Sequence, residues 1–225
     1  GKASVRASME AINRMSPGKP NQQLNFSVNS GSVYIQNPYN DLKAIVKQNG
    51  HKRRYISKED PSSMHGDRFV YQNLDELKFK GGNEFHHFNT KSVDFAGRNI
   101  ETIDFLQNMF HVRLTPDHDR SSKKYKTKQE LNGAFMIDKE RSSDPALEAD
   151  YAYVYFSLKD ATPDMTGGKV YVTGGFNNWS YSAASEMKYN FDEKAYQKRI
   201  LLKQGYYNYK YVLINDQGIQ DTFYS

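Results

Sequence analysis

The sequence predicts an all-β protein of two immunoglobulin-like β-sandwich domains, and three features carry that expectation. Aromatic residues reach 14%, with 17 Tyr and 13 Phe, against 37% hydrophobic and 25% charged residues, a balance that suits half-buried pleated surface better than helix or disorder. Apolar and polar residues alternate with a period of two in Leu24, Phe26, Val28, in Leu42, Ala44, Val46 and in Phe110, Val112, Leu114, which lays each set on one side of a strand. Turn-forming clusters separate the runs: Asn29-Ser30-Gly31, Gln48-Asn49-Gly50, Gly81-Gly82-Asn83 and Asn132-Gly133, at intervals suited to antiparallel hairpins.

Two stretches, Asp41 to Val46 and Ile100 to Asn108, have spacings that a short helix could also use; the first reads as strand. From Asp138 to Asp150 the chain is charged, carries Ser142-Ser143 and Pro145, and shows no apolar period. This is the pattern of a linker, so the expectation is one sandwich over residues 1–145 and a second over 150–225. In Tyr151 to Leu158 the small and apolar Ala152, Val154, Phe156 and Leu158 alternate with Tyr151, Tyr153 and Tyr155, so at least one face is packed. Gly167 to Trp179 reads as a turn, a strand and a tight loop presenting the single tryptophan. Ile200-Leu201-Leu202, the turn Lys203-Gln204-Gly205 and Tyr206 to Ile214 read as a hairpin, with Tyr207, Tyr209, Tyr211 and Leu213 on one face and Asn208, Lys210 and Val212 on the other. No internal repeat of fixed period and no low-complexity tract is present.

Composition narrows the chemistry. The absence of cysteine excludes disulfides, zinc ribbons and thiol catalysis without fixing the compartment. No apolar run reaches the length of a spanning helix, and Gly1-Lys2-Ala3-Ser4 lacks the regions of a signal peptide. The net charge of +5 comes mainly from His51 to Arg54 and Lys123 to Lys128. These runs read as solvated loops, because a nucleic-acid patch needs a denser basic stripe with interleaved aromatics. No nucleic-acid partner is expected.

The candidate chemical groups are few. Glu84, His86 and His87 are metal-ligand types, but adjacent histidines on a regular strand point to opposite faces and cannot grip one ion. Asp117, His118 and Asp119 place carboxylates at alternate positions without the glycine or downstream glutamate of a calcium loop. The glycines at 174 and 175 precede an aromatic, not the Lys and Ser/Thr of a phosphate cradle. No catalytic residue, metal or cofactor is expected. Trp179 is the sharpest candidate, with Lys210 on a neighbouring strand and Asn178 beside it: a structural corner is the first reading, and contact with a glycan or a partner protein the alternatives.

The segment from Val172 through Phe176-Asn177-Asn178-Trp179, together with Leu202 through Lys210, resembles the early-set carbohydrate-binding module of glycogen-branching enzymes and of the AMP-activated kinase beta subunit. In that module the positions of Trp179 and Lys210 bind glycogen. A second stacking tryptophan normally follows the hairpin after Asp-Gly, where this chain has Asp216-Gln217-Gly218-Ile219-Gln220. Over nearly its whole length the chain resembles the plug-protein family of the Bacteroidetes type IX secretion system. The carrying residues are Gln48-Asn49-Gly50, Gly82-Asn83-Glu84-Phe85, Asn132-Gly133-Ala134-Phe135, Asp150-Tyr151 and Leu202 through Tyr209. The family tends to follow Asn-Glu-Phe with Arg and then Phe-Asp, where His86-His87-Phe88-Asn89 stands here.

This resemblance implies a non-enzymatic periplasmic subunit, associated with the outer membrane, that binds and closes the translocon barrel. It also implies a carboxy-terminal fragment whose second sandwich lacks its last strand. The alternative is a glycan-binding module for periplasmic or cell-surface polysaccharide.

Overall fold

A computed structural model describes residues 2–12, 21–47, 55–58, 60–80, 85–118, 131–163, 167–216 and 218–224. The chain is all-β and forms two compact units, Gly1–Gly82 and Asn83–Ser225. Among the described residues no helix is long and apolar enough to cross a membrane.

The first unit contains β1 (Ser4–Ile12), β2 (Asn21–Asn29), α1 (Pro38–Asp41), β3 (Ala44–Lys47), β4 (Tyr55–Lys58), β5 (Ser63–His65), β6 (Arg68–Tyr71) and β7 (Lys78–Lys80). Its sheet runs β1-β2-β6-β5, with β7 on β2, and β3-β4 is a separate hairpin. The alternation expected at Leu24, Phe26, Val28 and at Leu42, Ala44, Val46 holds, since all six join a core around Phe26, Phe69, Tyr71 and Leu77. The polar set of β2 is buried as well: the Gln23 side-chain amide donates to the Leu74 and Leu77 carbonyls, and the Asn25 side chain accepts from the Asn73 N–H.

The second unit contains β8 (His86–Asn89), β9 (Ile100–Leu106), β10 (Met109–Leu114), β11 (Phe135–Ile137), α2 (Pro145–Glu148), β12 (Tyr151–Leu158), β13 (Gly168–Thr173), β14 (Lys188–Asn190), β15 (Ala195–Lys203), β16 (Gly205–Asn215) and β17 (Gly218–Tyr224). One sheet has the order β14-β15-β12-β10-β9. The other is organised on β16, flanked by β11 and β8 over its first half and by β13 and β17 over its second. The two close a sandwich around Phe88, Val112, Leu114, Ala152, Val154, Phe156, Leu158, Val170, Val172, Tyr207, Tyr209, Tyr211 and Leu213. Full burial of each of the larger aliphatic and aromatic side chains contributes about 1.5–3 kcal/mol.

Three expectations change. The domain boundary lies at Gly82, not between Asp138 and Asp150, because β10 pairs in parallel with β12 (Phe110 with Ala152, Val112 with Val154) and β8 and β11 both pair with β16. A parallel pair needs a long crossover, and the charged 138–150 stretch is part of that surface connection, tied down by a Lys139–Asp150 ion pair. Residues 83–145 therefore belong with 150–225 in one core.

The hairpin expected from Ile200 to Ile214 does not form: β15 pairs with β12 and β14, β16 with the opposite sheet. Gln204 and Gly205 make the corner between sheets. The buried Gln204 side chain accepts from the Asp150 N–H and donates to the Thr90 and Lys91 carbonyls, while Gly205 exchanges bonds with Thr90. A Cβ at Gly205 would lie 2.2 Å from the Met136 carbonyl oxygen. Gly205→Ala is thus expected to cost about 2 kcal/mol, read as a lower urea midpoint at unchanged slope.

The stretch from Ile100 to Asn108 is strand β9 and a two-residue turn, with Gln107 and Asn108 both at positive φ, the conformation that lets β9 and β10 twist together. A strand, β17, does follow the β16 segment, where the sequence reading expected the last strand to be lacking. The basic runs 51–54 and 123–128 and the turn 48–50 lie outside the described residues.

Candidate functional site

The loop after β13 is built by one side chain. Asn177 accepts from the Gly174 N–H and the Thr173 hydroxyl and donates to the Val172 carbonyl, drawing Gly175–Asn177 into a tight turn. Asn178 and Trp179 follow at φ 51° and 59°, and the Trp179 N–H returns to the Gly174 carbonyl. The loop folds over the sheet: the Phe176 ring lies edge-on to Tyr207 at 6.0 Å and parallel to Phe156 at 6.3 Å.

Trp179 is brought beside Lys210, whose ammonium lies 5.5 Å from the ring centroid. The ring is 6% exposed. Phe85 packs against it at 5.5 Å, and the turn at Asn132-Gly133 presses on its edge so closely that a Cβ on Gly133 would sit 2.6 Å from Trp179 Cζ2. Gly133 also adopts φ 83°, a region glycine enters without cost. The buried Asn208 side chain holds this turn, its Oδ1 accepting from the Leu131 and Gly133 N–H groups. Lys210 is itself 8% exposed, whereas Asn178 is exposed. A sugar could reach the flat of Trp179 only by displacing Phe85 or the Gly133 turn. Sequence reasoning missed Asn177, Asn208, Phe85 and Gly133 as the residues that position the ring; the Phe-Asn pair before the tryptophan was the available signal.

A second cluster joins residues that the sequence kept apart. His86, on β8, faces inward and its Nδ1 lies 2.7 Å from Asp117 Oδ1, just past β10. The hydroxyls of Tyr209 and Tyr211, on β16, donate to Asp117 Oδ2 at 2.6 and 2.7 Å. The His86 ring stacks on Tyr209 at 5.4 Å. Burial alone would raise the Asp117 carboxyl, but the His86 charge and the hydrogen bonds from His86, Tyr209 and Tyr211 outweigh it and hold the group below its ordinary range. Burial, followed by the Asp117 charge, pushes the Tyr211 hydroxyl well up, so it remains a donor.

His87 points the other way and stacks on Tyr206 at 5.7 Å, the opposition of faces that argued against a shared metal ion. His118 pairs with Asp160 on the surface. Among the described residues no three His, Asp or Glu side chains converge on a metal position; Glu84 and Asp119 lie outside them. With His86 4%, Tyr209 1% and Tyr211 0% exposed, the cluster ties β8, β10 and β16 together and offers little surface to a substrate.

No family model matches the chain, and no curated protein matches it. A solved structure that is similar to it is a hypothetical protein from Parabacteroides merdae ATCC 43184, with 31% sequence identity and a TM-score of 0.84 over 99% of this chain. The chain spans 57% of the length of that relative.

Proposed function

We propose that the chain is part of a non-enzymatic periplasmic plug subunit that binds the outer-membrane translocon barrel of the type IX secretion system and closes it between substrates. The support is the resemblance to that family through Asn132-Gly133-Ala134-Phe135 and Leu202 through Tyr209, two stretches distant in sequence that meet in the fold. Phe135 pairs with Tyr207, and Asn208 clasps the Gly133 turn. These two of the stretches that carry the resemblance thus pack together. The similar solved structure comes from a Bacteroidetes species, the phylum of the family. The single observation that favours this reading over a glycan-binding module is the enclosure of Trp179, the one ring placed for stacking, beneath Phe85 and Gly133.

Tagged full-length protein, purified from its own cells in mild detergent, is expected to carry the translocon barrel with it in mass spectrometry. Calorimetry with maltooligosaccharides or glycogen is expected to show no heat of binding, since one enclosed ring and one lysine leave at best millimolar affinity, about 4 kcal/mol. Saturable micromolar binding that disappears in Trp179→Ala would move the protein to the glycan-binding class.

A further inference from the structure

The outward face of the sheet β14-β15-β12-β10-β9 carries a ladder of tyrosines and cations that the core does not need. Along β12, Tyr151, Tyr153 and Tyr155 point away from the sandwich, opposite the buried Ala152, Val154 and Phe156. Register places their neighbours on the same side: His111 and Arg113 on β10 beside Tyr153 and Tyr155, and Arg199, Leu201 and Lys203 on β15 beside Tyr155, Tyr153 and Tyr151. The Arg113 guanidinium lies 4.8 Å from the Tyr155 centroid, that of Arg199 4.5 Å from Tyr153, and the Lys203 ammonium 5.4 Å from Tyr151. His111 bonds the Tyr155 hydroxyl through Nδ1 at 2.8 Å. Tyr151 is 51% and Leu201 46% exposed.

Cations outnumber carboxylates on this face. The acidic residues on the central strands and β9 are Asp104, which sits opposite His111, and Glu101, exposed at the bulge facing Arg113 and Leu114. Among the described residues neither Arg113 nor Arg199 has a carboxylate partner. A guanidinium lies over each of the Tyr153 and Tyr155 rings, so a base or a sugar would have to displace an arginine to stack on that side. A guanidinium held over a ring loses little further freedom on binding, and its fork of N–H donors matches the geometry of a carboxylate. Tyrosine and arginine are also residue types enriched among those that dominate protein–protein contacts.

We propose that this face, with Arg113 over Tyr155 and Arg199 over Tyr153, docks onto a carboxylate-rich patch of a protein partner. The partner's identity as the translocon barrel rests on the function proposed above.

The test uses the tagged full-length protein in its own cells, comparing wild type, Arg113→Glu/Arg199→Glu, Arg113→Gln/Arg199→Gln and the exposed control Arg98→Glu, each checked by thermal melting. The charge reversal is expected to lower barrel recovery by about tenfold or more, the neutral pair by less and the control not at all. Recovery with wild type is expected to fall as salt is raised. Undiminished recovery with either double variant would overturn the assignment of this face and leave the plug function standing. Failure of the wild type to recover any barrel would instead sink the plug function, and the inference with it. Retention of a polyanion such as heparin or single-stranded DNA that depends on Arg113 and Arg199, with barrel recovery unchanged, would give the face to a different class of partner and overturn it too.

Discussion

Replacing Trp179 by alanine is expected to lower the stability of the second unit by about 3–5 kcal/mol, the range for truncating a buried large aromatic side chain. The ring is 6% exposed and is bounded by Phe85, the Gly133 turn and Lys210, so its removal opens a void that three separate segments line. Those segments cannot all collapse into it, because the Gly133 turn is held by Asn208 and Lys210 is fixed in β16 by pairing with Thr173. For a unit of this size the change corresponds to a fall in Tm of about 10 °C. Trp179→Phe should recover part of the loss. Asn178→Gly is the matched control: Asn178 is exposed at φ 51°, a conformation glycine adopts freely, and the change should stay within about 0.5 kcal/mol. An unchanged Tm in Trp179→Ala would show that the ring is not packed, and would reopen the stacking surface that the glycan reading requires.

What the sequence made legible was local. The alternation in Tyr151 to Leu158 identified both faces of β12 correctly, and the apolar set of β16 was read from Tyr207, Tyr209, Tyr211 and Leu213. Position in the sheets was not legible, because a period of two says which way a side chain points and nothing about the strand beside it. Lys203-Gln204-Gly205 has the composition of a hairpin turn, yet Gly205 is there because β16 passes close to the Met136 backbone as the chain changes sheets. In the same way the Pro- and Ser-bearing 138–150 stretch looks like a linker, since a crossover over the surface is as polar as one between domains. The Asp117 cluster was invisible for a related reason. His86 and Asp117 were judged among their sequence neighbours, and only the pairing of β8 with β16 and the run of β10 alongside β12 bring them into contact.

Asp117→Asn is expected to destabilise the second unit by about 3 kcal/mol or more at neutral pH, because the change removes the charge that faces His86 and leaves a buried imidazole without its counterpart. The pH dependence separates this loss from a simple packing defect. In the folded chain the Asp117 carboxyl sits below its ordinary value of 3.8, so folding favours the ionised form. The stability this adds is fully present above the unfolded-state value and is lost as pH falls through the carboxylate range toward the lower folded value. Urea melts of wild type should therefore show a loss of stability from about pH 4.5 downward that is shallower in the Asn variant, which has no proton to take up at that position. The gap between the two proteins is widest near neutrality and narrows in acid. Tyr211→Phe, which removes one of the two hydroxyls donating to Oδ2, should cost about 1.5–3 kcal/mol, the range for a hydrogen bond to a charged group, while keeping the acid-dependent segment. A gap between wild type and Asp117→Asn that stays constant from neutral pH into the acid range would mean that Asp117 is not held ionised by His86, Tyr209 and Tyr211. The cluster would then act through shape alone.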